Sequence, residues 1–253
     1  MNVDKFANFP TPYLLVENLS HSFDNQKVLK DIDFRIYAGQ FTGLLGESGS
    51  GKSTLARIIS GQLTPQQGQV FLNGREISRL SRRERKRANL GIQMVFQDPY
   101  SSLNPQHIIA RQIEEPLIIK GMRDRQQRQK LVKQMMEDVG LDPSLGERLP
   151  EDLSGGQQQR VAIACALITE PKLLIADEPV SALDLSVQAQ ILNLFRRLRQ
   201  KRSFACLFIS HDLDVIHYLC DRVLILDDGV IQVEDKVERV FADREKIKYY
   251  FTN

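Results

Sequence analysis

Phe41-Thr42-Gly43-Leu44-Leu45-Gly46-Glu47-Ser48-Gly49-Ser50-Gly51-Lys52-Ser53-Thr54-Leu55-Ala56-Arg57-Ile58-Ile59 decides how the rest of the chain is read. Phe41 to Leu45 is an apolar run that predicts a strand leading into a glycine-rich turn. Lys52 to Ile59 carries Leu55, Ile58 and Ile59 at helical spacing and stops at Ser60-Gly61. Between them Gly46 to Ser53 fits G-x-x-x-x-G-K-[ST] in the strand-to-helix setting that this motif needs. The chemistry follows from charge. A triphosphate brings several negative charges that must be neutralised without crowding; glycines let the backbone approach, and successive N–H groups with the helix N-terminus supply the positive end. The expected triphosphate contacts are Gly46, Glu47, Ser48, Gly49, Ser50, Gly51, Lys52, Ser53 and Thr54. Lys52 is expected to reach the β- and γ-phosphates and the Ser53 hydroxyl to ligate Mg²⁺.

Outward from this stretch, Ile32, Phe34 and Ile36 alternate with polar residues as in a half-buried strand. Gln69 to Leu72 reads as a strand closed by the hairpin turn Asn73-Gly74, and Ile92 to Phe96 as another strand. After Gln97 the pattern changes. Pro105 to Leu149 holds no convincing strand, while Asp124 to Val139 spaces Leu131, Met135 and Val139 four apart before Gly140, which predicts a helical insertion. Strand and helix then alternate: Leu173 to Ala176, a helix bearing Val187, Ile191 and Leu194, Phe204 to Ile209, a short helix near Leu213, and Val223 to Leu226. Asp228-Gly229 turns into Val230 to Val233. Such alternation implies an α/β fold with a parallel sheet and crossover helices.

Composition excludes other classes. With 253 residues, 42% hydrophobic and 26% charged, the chain is globular in character and large enough for a sizeable core. Its longest apolar run, Val161 to Ile168, is about eight residues against roughly 18 for a spanning helix. Met1 to Tyr13 lacks the apolar stretch of a secretory signal, so a cytosolic chain is expected. Cys165, Cys206 and Cys220 are odd in number and form no C-x-x-C pair, which predicts reduced, core-packed thiols. The net charge of +2 conceals a basic stretch, Arg75 to Arg87, with seven basic and two acidic residues. Glu84 interrupts it and no aromatics interleave, so a solvated helix is expected there and no nucleic-acid partner.

Two further segments carry chemistry. Leu173-Leu174-Ile175-Ala176-Asp177-Glu178 ends a buried strand in two carboxylates; Asp177 is placed to hold Mg²⁺ and Glu178 to orient or deprotonate a water. Leu153-Ser154-Gly155-Gly156-Gln157 opens a helix and offers a second anion-binding N-terminus.

LSGGQ at Leu153 to Gln157, the phosphate loop and LLIADE together resemble the nucleotide-binding subunit of an ATP-binding cassette (ABC) transporter, from about Leu14 to Ala242. The resemblance implies a P-loop NTPase fold: a mostly parallel core sheet, an N-terminal antiparallel β-subdomain and an inserted α-helical subdomain. It divides a single domain into a nucleotide-binding core, 14–98 with 161–243, and a helical subdomain, 99–160. It also implies roles: Lys52, Gln97, Glu178 and His211 in catalysis, Ser53, Gln97 and Asp177 on the metal, and Phe23 stacked on adenine. Ser154, Gly155, Gly156, Gln157 and, in the Ser181-Ala182-Leu183-Asp184 turn, Asp184 would contact ATP held by an opposed partner subunit.

Phe96 to Pro105 (FQDPYSSLNP) and Ala176 to Gln190 (ADEPVSALDLSVQAQ) are similar to the peptide and nickel importer group. That implies two permease subunits, a second and different ATPase subunit, an external solute-binding protein, and a peripheral place on the cytoplasmic side of the inner membrane. The stretch after Gln97 would dock the permeases. The cargo expected is a small peptide, nickel or a metal chelate; the alternative is a soluble ABC ATPase acting on ribosomes or DNA, which the single phosphate loop and short insertion disfavour. Arg244 to Asn253 has neither the His-Pro-Tyr stretch nor the cysteines found near the C-terminus of many oligopeptide and dipeptide members, so no iron–sulfur cluster is expected.

Overall fold

The computed structural model describes residues 11–24, 26–81, 83–84 and 91–242. In chain order the elements are β1 (Leu14–Phe23), β2 (Gln26–Ile36), β3 (Phe41–Leu45), α1 (Lys52–Ile59), β4 (Gln67–Leu72), β5 (Arg75–Glu76) and β6 (Ile92–Val95). Four helices follow, α2 (Pro99–Ser102), α3 (Ile109–Ile119), α4 (Arg125–Asp138) and α5 (Gly155–Leu167), with short 3₁₀ turns before the last. The chain continues with β7 (Leu173–Asp177), α6 (Leu185–Lys201), β8 (Ala205–Ser210), α7 (Leu213–Leu219), β9 (Arg222–Asp227), β10 (Val230–Lys236) and α8 (Val237–Ala242). No helix among the described residues is long and apolar enough to cross a membrane.

The strands form two sheets. One is antiparallel in the order β2-β1-β4-β5; the other runs β10-β9-β3-β8-β7-β6, parallel except for the edge pair β10-β9. The expected architecture is what is found: an N-terminal antiparallel sheet, a mostly parallel core sheet and a helical insertion after β6.

Unbroken apolar runs in β3, β7, β8 and β9 have a direct cause. Leu44, Leu173, Ile175, Leu207, Ile209 and Leu224 face a core shared with α1 and the antiparallel sheet. Their neighbours Leu45, Leu174, Ala176, Phe208 and Ile225 face a second core built with α3 to α7. A sheet buried on both faces needs apolar side chains at every position, not every other one. Aromatic rings fill the second core edge to face: Phe195 and Phe208 lie 5.4 Å apart at 87°.

Several expectations needed adjustment. β1 and β2 are longer than the alternation suggests because each carries a left-handed residue, Asn18 (φ 48°) and Asp31 (φ 51°), where the pairing register slips. The slip resets the alternation, so the buried residues run Val16 then Leu19, and Leu29 then Ile32. α3 contains Pro116, a residue that argues against a helix interior, and it went unassigned in the sequence. In α4, capped by Asp124, the expected face holds: Met135 and the C-cap Val139 are buried and Leu131 packs partly against the same core, which Val132 and Met136 widen. The solvated helix expected over Arg75–Arg87 is corrected at its start: Arg75–Glu76 pairs with β4 through the Asn73-Gly74 turn, and Ile77 and Ser78 are buried. Arg82 and Arg85 to Arg87 lie outside the described residues, as does Arg244 to Asn253. Cys206 and Cys220 are buried as expected and Cys165 is partly so, its thiol pushed up to about 12 by burial.

Beside their shared core the two sheets approach closely at the β9–β10 turn. Gly229, in the β9–β10 turn, accepts a bond from Lys30 N on β2 at 2.8 Å, and Asp228 pairs with the Lys30 ammonium at 2.6 Å. Gly229 has φ 75°, and a Cβ there would lie 2.4 Å from the Val28 carbonyl oxygen. Gly229→Ala combines a left-handed strain with a backbone clash, so it should destabilise the chain by about 2–3 kcal/mol. Urea denaturation followed by circular dichroism reads this as a lower midpoint with unchanged slope; an unaltered midpoint contradicts the contact.

Candidate functional site

Parallel register gathers the loops that matter. Leu45 is level with Ser210 and Ile225, Val95 with Ala176, and Asp177 with Ile209. The chain leaves β3, β6, β7 and β8 along the same edge of the sheet, the usual place for a ligand in such folds. There Gly46, Gln97, Glu178 and His211 line one cleft of about 720 Å³. Glu47, Ser48, Gly49, Gly51, Lys52, Ser53 and Thr54 complete the wall on the helix side. Val28 of β2 also lines it, and no local feature of the sequence marked that residue.

The phosphate loop is held from behind. Gly51 has φ 107°, and a Cβ there would lie 2.9 Å from Leu29 Cδ2 and 3.0 Å from the Val28 carbonyl, so β2 presses on the turn that starts α1. Ser50, predicted as a ligand contact, is buried and does not line the cleft; its amide donates to the Glu47 carbonyl at 3.2 Å. Lys52 is only 5% exposed, and its ammonium donates to the carbonyls of Gly46 at 2.8 Å and Glu47 at 2.6 Å. Burial drives its pKa below the usual lysine value, against the opposing pull of Glu178, Asp177 and Glu47.

Across the cleft, burial raises the Asp177 carboxyl above its usual range even though Ser53 hydrogen-bonds it; the neighbouring Glu178 charge adds to the rise, while Lys52 and Arg57 oppose it. Asp177 is therefore a half-buried carboxyl already hydrogen-bonded by the Ser53 hydroxyl. Glu178 sits at φ 45°, uncommon for a side-chain-bearing residue. Its amide donates to the Ile209 carbonyl at 3.1 Å, and its carbonyl accepts from the Ser181 hydroxyl at 3.1 Å. This sharp turn directs its carboxylate Oε2 to 3.2 Å from His211 Nδ1. Oxygen donors from Ser53, Gln97 and Asp177 suit a hard cation such as Mg²⁺.

The remaining predicted residues lie elsewhere. Ser154 caps α5 in a reciprocal box with Gln157: Gln157 N donates to Ser154 Oγ at 3.4 Å and Ser154 N to Gln157 Oε1 at 2.9 Å. Asp184 caps α6, accepting from the amides of Ser186 and Val187 at 3.0 Å each, bonds that hold its carboxyl below the usual range. Gly155 lies near Leu183, and a Cβ on Gly156 would sit 2.5 Å from Val187 Cγ1. These residues form one neighbourhood, and none of them lines the cleft. Phe23 ends β1 at 46% exposure, also outside the cleft lining.

Comparison with known proteins adds the following. A family model described as ABC transporter matches residues 29–181. A Brucella ovis protein provisionally named peptide import ATP-binding protein is 41% identical over 236 residues, 92% of this chain and 74% of the relative. Among solved structures, cbiO1 from Clostridium perfringens, described as part of the ABC transporter complex cbiONQ, superposes with a TM-score of 0.85 at 29% identity, over 95% of this chain and 94% of that one. The ATP-binding cassette MJ0796, described as a dimeric post-hydrolysis state bound to ADP and Pi, gives 0.78 at 29% identity, over 88% and 98%.

The half-buried Asp177 charge has a cost to the free chain. Since its folded pKa is raised, the folded state loses stability as pH rises through the carboxylate range and is unaffected below it. Asp177→Asn removes the charge while keeping an oxygen for Ser53, so it should melt higher than the parent at about pH 7.5, with the gap closing towards about pH 4. Thermal unfolding at the two pH values measures this, and a variant melting lower at the higher pH contradicts it.

Proposed function

The chain belongs to the ABC transporter family, and on that premise we propose that it is the ATP-hydrolysing subunit of a peptide importer. One observation carries the reading: the phosphate loop, Gln97, Glu178 and His211 share a single cleft. Lys52 exchanges its bonds to the Gly46 and Glu47 carbonyls for oxygens of the β- and γ-phosphates. Ser53, Asp177 and Gln97 would hold Mg²⁺, which when bound would withdraw charge from the phosphates. Glu178 accepts a proton from the attacking water as the water oxygen bonds to the γ-phosphorus and the bond to the bridging oxygen breaks, leaving ADP and phosphate. His211, bonded to Glu178 through Nδ1, fixes the carboxylate and registers the γ-phosphate. Phe23 provides the platform for the base.

The subunit works opposed to a second ATPase subunit, to whose nucleotide it offers Ser154, Gly155, Gly156, Gln157 and Asp184. Their position away from this chain's own cleft supports that reading, as does the dimeric state of the MJ0796 cassette. The core comprises 14–98 with 161–243, and the helical subdomain 99–160. Two permeases lie above, docked on the stretch after Gln97, with a solute-binding protein beyond them; cbiO1, itself part of a transporter complex, supports such an assembly. The chain would then sit peripherally on the cytoplasmic side of the inner membrane. The name of the Brucella relative favours a peptide as cargo over nickel.

Purification of the intact membrane complex tests the assignment: peptide should stimulate its ATPase, and indifference to every peptide offered, alongside stimulation by a nickel chelate, would replace the cargo. Glu178→Gln should bind ATP, lose turnover by about a hundredfold or more, and trap a closed dimer on size-exclusion chromatography. Near-normal hydrolysis removes Glu178 from its role. Lys52→Ala should sharply weaken ATP binding in calorimetry, and unchanged affinity rejects the phosphate-loop contact.

A further inference from the structure

We propose that His21 is a positioning residue for the nucleotide base, holding the Phe23 ring in the orientation on which the base stacks. The inference rests on the reading of Phe23 as base platform. Phe23 stands at the turn end of the β1–β2 hairpin, paired with Gln26 and nearly half exposed. An aromatic side chain in that place has free rotamers, and a base that stacks on it must first fix them. His21, two residues earlier on the same strand, restrains it. The imidazole is 6% exposed, and its ring lies 4.8 Å from that of Phe23 at 79°, an edge-to-face contact.

Two observations separate this from ordinary core filling. His21 Nδ1 is buried and has no hydrogen-bond partner among the described residues, so that nitrogen does not tie the sheet together. A buried unpaired nitrogen is unfavourable, and a residue kept merely to fill the space would be apolar. His21 also faces Leu29 across the hairpin, and Leu29 with Val28 backs the phosphate loop at Gly51, while Val28 lines the cleft. The platform is thus anchored on the strand pair that forms one wall of the phosphate site.

The test uses the full chain with Mg-ATP and with magnesium tripolyphosphate, which has no base. His21→Leu should weaken ATP binding about three- to tenfold and leave tripolyphosphate binding unchanged. His21→Phe, which restores an aromatic edge, should recover ATP affinity. Phe23→Ala alone should weaken ATP, and adding His21→Leu to it should cause no further loss. Equal weakening of ATP and tripolyphosphate, or additive losses in the double variant, overturns the inference and assigns His21 to the scaffold. If Phe23→Ala leaves ATP affinity intact, the platform reading fails and the inference falls with it. If Phe23→Ala weakens ATP while His21→Leu, folded by circular dichroism, does not, only the inference fails. Should His21→Leu not fold, His21→Phe and His21→Asn decide the matter: equal ATP affinity in both variants overturns it, and a deficit confined to Asn supports it.

Discussion

Everything at the cleft depends on parallel strands ending in register. β3, β6, β7 and β8 are far apart in the chain, yet their ends are level because each is hydrogen-bonded to its neighbour along a common ladder. A slip of one position would turn every side chain to the opposite face. The two cores oppose it, since successive residues of β7 and β8 are packed alternately into one core and the other. The precision of the site therefore derives from burial, and the polar residues inherit it.

The cleft is also electrostatically unfinished without a ligand. Lys52 is buried with its charge on two backbone carbonyls, and Asp177 is half-buried with its charge opposed by desolvation and by Glu178. On the proposed reading, a triphosphate with its metal would supply counterparts to both. The same groups that weaken the free chain are thus those that favour the loaded one, the common trade between stability and activity.

Much of this was legible in the sequence because it is local. The phosphate loop, the carboxylates after β7 and the cap at Ser154 are each written within a few residues, and hairpins at Asn73-Gly74 and Asp228-Gly229 announce themselves by turn chemistry. What was not legible depends on distant partners. The register slips at Asn18 and Asp31 break the period that would have revealed β1, and Pro116 hides α3. Val28 enters the cleft only because β2 packs behind Gly51, and the burial of Ser50 depends on neighbours that its motif does not name.

Gly156 at the start of α5 has no room for a side chain because Val187 of α6 already occupies that space. Val187 in turn belongs to the first turn that Asp184 caps, a few residues from Glu178. The start of α5 is thereby fitted to the first turn of α6, so a side chain at position 156 would press directly on the helix that follows the Glu178 turn.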